Sequence, residues 1–321
     1  MAETHGRVMA GGGENVKLTS VTAPRKLKFM SNAVVNINGK ITGPEEAMVS
    51  VFDRGFLFGD GVYETGRAYQ RCPLFLEEHL KRFRHSASRL SIPVPWSDEE
   101  LKDRIFETAR AFQKDDLYFR MIITRGLIDH VGLAVEAIGR PTLVVLAQDL
   151  PDLKKIHQEG VHLITSEVVR NAADAQDPNI KTSNYLNSLL ALQSAVKQGG
   201  DDAVMCDRQG NVAEGTTFSV FGIDTSGCLI TPSLDVGILD SITRRHVLKI
   251  ARSFMPVDEG KYSLVDFQKC PEVFIASSVR EVVAIREWDG HRYPVPGPKT
   301  KVLREKFKAE ILEYTKSQPK F

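Results

Sequence analysis

Three short segments of the 321-residue chain carry side chains whose types and spacing could do chemistry. Lys181 stands among small and apolar neighbours, where a lysine loses its proton easily enough to act as an amine nucleophile. Glu214 precedes Gly215, so a flat ligand could approach the backbone there while the carboxylate meets a ring nitrogen. Residues 237–244 join glycine and hydroxyl side chains at a helix start, whose free N–H groups bind phosphate. In isolation, each segment is more often a solvated lysine, a plain turn or an ordinary helix cap.

The elements that must position these residues follow from hydrophobic periodicity, turn signals and helix caps. Strands and helices mix without regular β-α-β alternation or a sequence repeat, which predicts an α/β (or α+β) fold with two sheets. Asn38-Gly39 predicts a tight hairpin turn. Helices are predicted at residues 77–91, 97–113, 183–197, 241–255 and 301–316. Strands are predicted at residues 34–37, 48–52, 62–69, 118–124, 142–147, 161–165, 203–206, 218–223, 272–276 and 282–286.

A break in this pattern divides the chain into two predicted domains. We expect a small N-terminal α/β domain at residues 31–148, a linker at 149–159 and a large C-terminal domain at 160–321. Residues 1–30 have no apolar periodicity and are expected to be a disordered extension. They lack the continuous apolar region of a secretory signal, while a transit peptide, or an upstream start with Met30 as the older start, stays open.

Composition argues against several kinds of partner. The 42 basic and 41 acidic residues leave a formal net charge of +1, without the basic excess of a dedicated nucleic-acid binder. No apolar run approaches the roughly 18–20 residues of a membrane helix. The four cysteines lie far apart without zinc-ligand spacing, so we expect free thiols, a reducing cytoplasmic location and no metal.

The order of the motifs points to a family that no single motif identifies. A lysine, an Asn-Tyr-Leu-Asn helix start, Glu-Gly-Thr and then Ile-Thr-Arg at a further helix start strongly resemble the class IV aminotransferases. These are two-domain fold type IV enzymes that use pyridoxal phosphate. Residues 53–64 and 76–83 look like N-terminal signatures of the same family, and the resemblance runs from about residue 34 to residue 307.

The resemblance assigns roles around the cofactor ring. Lys181 falls where the family has its catalytic Schiff-base lysine, whose freed amine then moves the substrate proton. Glu214 matches the carboxylate that pairs with the pyridine nitrogen and keeps the ring an electron sink. Tyr185 falls where a tyrosine bonds the ring phenolate oxygen.

The resemblance also assigns the phosphate end of the cofactor. Arg82 matches the phosphate arginine, whose planar fork suits phosphate oxygens. Ile242 and Thr243 match positions that donate backbone N–H groups to the phosphate, and Ser278 matches a hydroxyl position in the last active-site loop. Because Arg82 precedes the predicted boundary and Lys181 follows it, the site is expected to lie between the domains.

Four positions depart from the family's usual pattern without removing a reacting group. Ser219 stands where asparagine is usual, and Ala284 stands where proline is common. Asp240-Ser241 replaces the more usual Pro-Gly before Ile-Thr-Arg. These departures concern the loops that shape the site.

Substrate signals within the family are mixed. Tyr63 matches a tyrosine that holds the α-carboxylate in D-amino-acid enzymes, but His130 lacks the arginine two residues earlier that those enzymes add. Tyr118 and Arg120 form the Tyr-x-Arg strand motif typical of L-branched-chain enzymes. Arg280 is unusual for the family and could reach a substrate carboxylate or pair with Glu281 or another neighbour.

The favoured hypothesis is therefore transfer of an amino group between a branched-chain or similarly apolar L-amino acid and 2-oxoglutarate. The alternatives are a D-amino-acid aminotransferase, an aminodeoxychorismate lyase, an R-selective amine aminotransferase and an inactive binding module. The resemblance further implies a homodimer with each site near the subunit interface, where Phe56 and Phe58 could pack on the partner. We expect small amino and 2-oxo acids as partners, and neither nucleic acid nor membrane.

Overall fold

The computed structural model describes residues 32–133 and 140–321. The expected extension at residues 1–30 lies outside them, so its disorder stays a prediction. Two sheets, of six and nine strands, form the framework. The α/β class with two sheets, as the sequence predicts, is confirmed.

The first sheet lies between residues 33 and 148 and is antiparallel throughout. Its strands are β1 (Ala33–Ile37), β2 (Lys40–Thr42), β3 (Gly61–Tyr69), β4 (Cys72–Pro73), β5 (Leu117–Thr124) and β6 (Thr142–Gln148). They are ordered β2-β1-β6-β5-β3-β4. The helices of this half are α1 (Arg54–Phe58), α2 (Leu76–Arg89) and α3 (Asp98–Phe112).

Local sequence explains where several of these elements begin. Asn38 and Gly39 have φ values of 51° and 96°, the positive φ that the β1–β2 hairpin turn requires. Ser97 begins α3 with a reciprocal capping box: its Oγ accepts the Glu100 N–H at 3.1 Å, and Glu100 Oε2 accepts the Ser97 N–H at 2.7 Å. The apolar faces of α2 and α3 share one buried cluster with the first sheet.

The second sheet lies between residues 161 and 292 and mixes parallel with antiparallel pairs. Its strands are β7 (Val161–Thr165), β8 (Asp202–Cys206), β9 (Val212–Gly215), β10 (Ser219–Ile223), β11 (Leu229–Pro232), β12 (Val257–Gly260), β13 (Glu272–Ser277), β14 (Glu281–Trp288) and β15 (His291–Arg292). The order is β12-β11-β10-β13-β14-β7-β8-β9, with β15 beside β14.

Five helices accompany this second half. They are α4 (Lys154–Glu159), α5 (Leu186–Lys197), α6 (Ile242–Arg252), α7 (Leu264–Gln268) and α8 (Pro298–Ser317). Helix α4 occupies most of the predicted linker at residues 149–159, and the division into two domains stays a prediction. Within the described residues, no helix combines the length and the apolar character that crossing a membrane requires.

Two predicted elements are corrected by the structure. The strand expected at residues 48–52 is absent: Met48 is 76% exposed, and the segment pairs with no strand among the described residues. Its apolar composition favours β structure, but no neighbouring strand is there to cover it. The helix expected from Ser183 begins at Leu186, because the Ser183 N–H donates to the Gly61 carbonyl at 3.0 Å and ties this stretch to β3.

Candidate active site

A cavity of about 630 Å³ collects most of the predicted site residues from both halves of the chain. Strands β3 and β5 supply one wall, α2 contributes Arg82, and the loop before α5 contributes Lys181. All predicted site residues line the cavity except Ile242 and Thr243, whose side chains are buried at the start of α6. Ser241, the residue before them, does line it.

Lys181 is fixed by its backbone, and its amine points at a tyrosine. Its N–H donates to the Ser86 hydroxyl on α2 at 3.1 Å, and its carbonyl accepts the Tyr63 N–H of β3 at 3.0 Å. The Nζ donates to Tyr63 Oη at 3.2 Å. Because hydrogen bonds hold both the backbone and the Nζ of Lys181, the amine has a defined position at the cavity wall.

Tyr63 and Tyr185 hydrogen-bond to each other through their hydroxyls, with ring centroids 5.6 Å apart. Burial, and then Tyr185, raise the pKa of Tyr63 well above its usual value, so its hydroxyl keeps its proton. The pair therefore places a protonated Tyr63 hydroxyl beside the Lys181 amine.

Glu214, on β9, is held by an arginine that the sequence reading missed. Arg170 contacts Glu214 Oε1 through Nη2 at 2.8 Å and Nε at 3.0 Å, and Oε2 accepts the Leu239 N–H at 3.3 Å. No pattern marks Arg170 in the sequence, because its partner lies 44 residues away. The Arg170 guanidinium and the Leu239 N–H therefore hold both carboxylate oxygens of Glu214 at the cavity wall.

Gly215 is required by the packing of a neighbouring ring. A Cβ at this position would lie 2.1 Å from the Phe218 ring, so the absence of a side chain lets Phe218 pack against β9. Gly215 also lines the cavity, and the approach of a flat ligand to its backbone stays a prediction.

A group of anion-binding donors forms the other end of the cavity. Arg82 Nη1 donates to the Asp240 carbonyl at 3.1 Å, which places the guanidinium beside the start of α6. Ser241 caps this helix, and its Oγ accepts the Arg244 N–H at 3.3 Å. The first N–H groups of a helix lack partners within the helix, and the Thr243 and Ser278 hydroxyls lie 3.3 Å apart beside them. This combination suits a phosphate.

Arg120 and Tyr118 project from neighbouring positions of β5. The Arg120 guanidinium carbon lies 3.9 Å from the Tyr63 ring centroid, and its buried Nε has no hydrogen-bond partner among the described residues. Tyr118 Oη lies 3.4 Å from Thr65 Oγ1 across the strand pair. Arg120 thus places a cation at the cavity wall.

Arg280 pairs with Asp202 and not with Glu281. Its Nη2 donates to Asp202 Oδ2 at 2.7 Å, while Thr216 donates to Asp202 Oδ1 at 2.6 Å. Glu281 instead accepts from Arg67 at 2.8 Å. The Arg280 guanidinium therefore lines the cavity with one edge bonded to the buried carboxylate of Asp202.

The four departures from the family pattern fit this framework. Ser241 is the cap of α6, and the backbone of Asp240 accepts from Arg82 and donates to Asn179 Oδ1 at 3.0 Å. Ser219 begins β10, and Ala284 is buried within β14. None of them removes a group from the cavity.

Comparisons with known proteins agree with the family resemblance of the sequence. A family model described as "Amino-transferase class IV" matches residues 61–288. The chain is 39% identical over 277 residues to a putative branched-chain-amino-acid aminotransferase of Methanocaldococcus jannaschii, covering 85% of this chain and 95% of that protein. It is 30% identical to a D-alanine aminotransferase of Listeria monocytogenes, covering 86% and 96%.

Solved structures give the same fold. A branched-chain aminotransferase from Thermoproteus uzoniensis with norvaline superposes with a TM-score of 0.80 at 29% identity, covering 88% of this chain and 95% of that one. A branched-chain amino acid aminotransferase from Thermobaculum terrenum in its PLP-form gives a TM-score of 0.78 at 26% identity, covering 88% and 95%.

Proposed function

Because the chain belongs to the class IV aminotransferases, which use pyridoxal phosphate, we propose that it transfers an amino group from a branched-chain or similarly apolar L-amino acid to 2-oxoglutarate. Amino and 2-oxo acids are the substrates of aminotransferases. One observation carries the proposal: Lys181, Glu214 and Arg82 line a single cavity together with the Tyr118–Arg120 pair.

The donor set fits the cofactor. The Arg82 guanidinium and the start of α6 would hold its phosphate, and Glu214 would hold its ring nitrogen in the protonated form. Tyr185 would donate its hydroxyl to the ring oxygen. Bound pyridoxal phosphate supplies an aldehyde carbon that takes up the amino group and a ring that accepts the electrons left by the departing α-proton.

Lys181 is the proposed proton carrier. Its Nζ would take up the α-proton of the amino acid and later release it, a role that requires a neutral amine. The hydroxyl of Tyr63 lies 3.2 Å from Nζ and orients it toward the cavity. Because the N–H and the carbonyl of Lys181 are both hydrogen-bonded, Nζ moves only by rotation of the side chain and not with the backbone.

Carboxylate recognition is assigned to three side chains of the cavity wall. Tyr118 and Arg120 would hold one substrate carboxylate, since both line the cavity and Arg120 brings a cation to it. Arg280 is proposed to meet a second carboxylate, such as that of 2-oxoglutarate, since Asp202 holds only one edge of it. The apolar side chains of Leu153 and Ile156 line the same cavity and suit an apolar substrate side chain.

We also propose a homodimer. Helix α5 exposes Leu186, Leu189, Leu190 and Val196 along one face, which in water favours a covering partner. Asn184 donates to the Gly59 carbonyl at 3.4 Å, so the end of α1, which carries exposed Phe56, lies near the start of α5, whereas Phe58 packs under Arg54. Light scattering should give twice the chain mass of 35.7 kDa, and the single-chain mass would contradict the dimer.

A cytoplasmic location also stays part of the proposal. Its support is that the cysteines among the described residues, Cys72, Cys206, Cys228 and Cys270, are all free thiols.

The test of substrate is a paired assay. Purified holoenzyme is incubated with 2-oxoglutarate and either L-leucine or D-alanine, and the glutamate formed is measured. We expect turnover with L-leucine and little with D-alanine. Reaction with D-alanine alone would replace the L-specific proposal by the D-amino-acid one, and pyruvate from aminodeoxychorismate would identify a lyase.

A further inference from the structure

Glu64 is a fully buried carboxylate that the roles above leave out. It lies on β3 between Tyr63 and Thr65, which line the cavity. Because side chains alternate along a strand, Glu64 points to the other face, where α2 packs. A carboxylate with 0% exposure is costly unless every oxygen has a partner.

Both oxygens of Glu64 are filled from α2. Arg82 donates through Nε to Oε1 at 2.7 Å and through Nη2 to Oε2 at 2.8 Å, a bidentate pair. His79 Nδ1 lies 2.6 Å from Oε2. Although burial alone raises it, the Arg82 charge and the bonds from Arg82 and His79 lower the pKa of Glu64 to about 2. The carboxylate is therefore ionised throughout the physiological range.

The pair determines which way the Arg82 guanidinium faces. A guanidinium has five N–H donors. Among the described residues, Glu64 takes the Nε donor and one on Nη2, and the Asp240 carbonyl takes one on Nη1 at 3.1 Å. One N–H is left on each terminal nitrogen, and Arg82 lines the cavity. The two remaining donors form the fork that binds a phosphate through two oxygens.

We infer that Glu64 is a positioning residue for the cofactor phosphate: it locks the Arg82 guanidinium so that its two remaining donors face the phosphate group. The inference rests on the proposed role of Arg82. Glutamine cannot replace Glu64, since an amide has one acceptor oxygen and its NH₂ would meet a donor of Arg82 or His79.

The test compares two ligands that differ only in the phosphate. Full-length apo-protein of wild type and Glu64→Gln is titrated with pyridoxal phosphate and with pyridoxal, and binding is followed by fluorescence. We expect Glu64→Gln to weaken pyridoxal phosphate binding on the order of 10- to 100-fold and to leave pyridoxal binding unchanged. Equal loss for both ligands would show a merely structural role, and no loss for either would also overturn the inference.

Glu281→Gln is the matched control. Glu281 is a buried glutamate that accepts from an arginine, Arg67, at 2.8 Å and from Tyr69 at 2.9 Å. Both bonds end on one oxygen, which the amide keeps. We expect both ligands to bind this variant as they bind wild type. If Glu281→Gln also lost only pyridoxal phosphate affinity, the assignment to Glu64 would be overturned.

Arg82→Gln separates this inference from the proposal it rests on. The single variant Arg82→Gln should abolish the preference for the phosphorylated ligand. If the preference remains, the proposed phosphate-binding role of Arg82 is wrong, independently of Glu64. In the Arg82→Gln background, Glu64→Gln should add no further loss of preference. If Glu64→Gln does not fold, Glu64→Asp is used: the side chain is one CH₂ shorter, so its carboxylate falls short of Arg82 and the same preference should be lost.

Discussion

Helices α2 and α5 both carry regularly spaced apolar side chains, yet they relate to the core in opposite ways. On α2, Leu80 and Phe83 have 0% exposure and pack under the first sheet. On α5, Leu186 and Leu189 are 68% and 57% exposed, while the small side chains of Ala191 and Ala195 turn inward. Periodicity identifies both helices, but only the packing shows that the large side chains of α5 lie outside the fold of one chain.

The two helices nevertheless support the same lysine. Ser86 of α2 accepts the Lys181 N–H at 3.1 Å, and α5 begins a few residues after Lys181. The same α2 carries Arg82, one turn before Ser86. On one side the site is thus held by α2, which is packed in the core. On the other side lies α5, whose apolar face, according to our proposal, is covered only in the homodimer.

The largest expected effect is at Lys181, which α2 holds through Ser86 and which precedes α5. Lys181→Ala removes the amine while keeping both neighbouring helices, so transamination should fall about 10²–10⁴-fold or more. Lys197→Ala, at the exposed end of α5, is the control and should keep wild-type turnover. Steady-state rates of both variants check this. Comparable turnover in Lys181→Ala would remove the lysine from the chemistry.

A matched pair of truncations probes the contrast between the helices directly. Leu80→Ala opens a cavity in the core and should lower the free energy of unfolding by about 2–5 kcal/mol. Leu189→Ala should change it by about 0.5 kcal/mol or less at dilute protein, and should weaken self-association instead. Urea unfolding and sedimentation velocity measure the two effects. Equal destabilisation would place Leu189 in the core.

The smallest expected effect concerns a contact between α2 and the second half. His246 of α6 has its Nε2 2.8 Å from Glu78 Oε1 and its Nδ1 3.0 Å from Glu310 Oε1, so both nitrogens must donate and the ring is protonated. Burial lowers the pKa of His246, but the bonds to Glu310 and Glu78 outweigh it and raise this pKa above its usual value. The same carboxylates also face two other basic side chains: Arg245 lies 3.1 Å from Glu78, and Lys249 lies 3.4 Å from Glu310.

The sign of the pH effect follows. The stabilisation by His246 is fully present below the unfolded pKa of about 6.5 and is lost as pH rises through the higher folded pKa. Wild type should therefore lose about 1 kcal/mol or less relative to His246→Gln across that interval. Thermal melts of both proteins from pH 6 to 9 measure it, and parallel curves would contradict the prediction.

Much of this architecture is readable from sequence because its signals are local. The Asn38-Gly39 turn and the Ser97 cap act over three residues or fewer, and both form as predicted. The order of motifs identified the family and the cavity residues. What the sequence did not show depends on distant partners: Arg170 meets Glu214 across 44 residues, and Arg280 meets Asp202 across 78.

The wrong predictions have the same origin. Residues 48–52 have the composition of a strand, but a strand requires a neighbour, and the chain provides none among the described residues. The helix predicted from Ser183 begins at Leu186, because the Ser183 N–H donates to the Gly61 carbonyl of β3 at 3.0 Å. In each case the local pattern was read correctly and the long-range partner decided the outcome.

The central claim is that the Lys181 amine holds and serves the cofactor. Borohydride reduction of the holoenzyme makes the bond between cofactor and amine permanent, and mass spectrometry of the digested protein locates the modified residue. The account predicts one modified lysine, Lys181, and no modification after Lys181→Ala. Modification at a different lysine of the wild type, or at none, would contradict it.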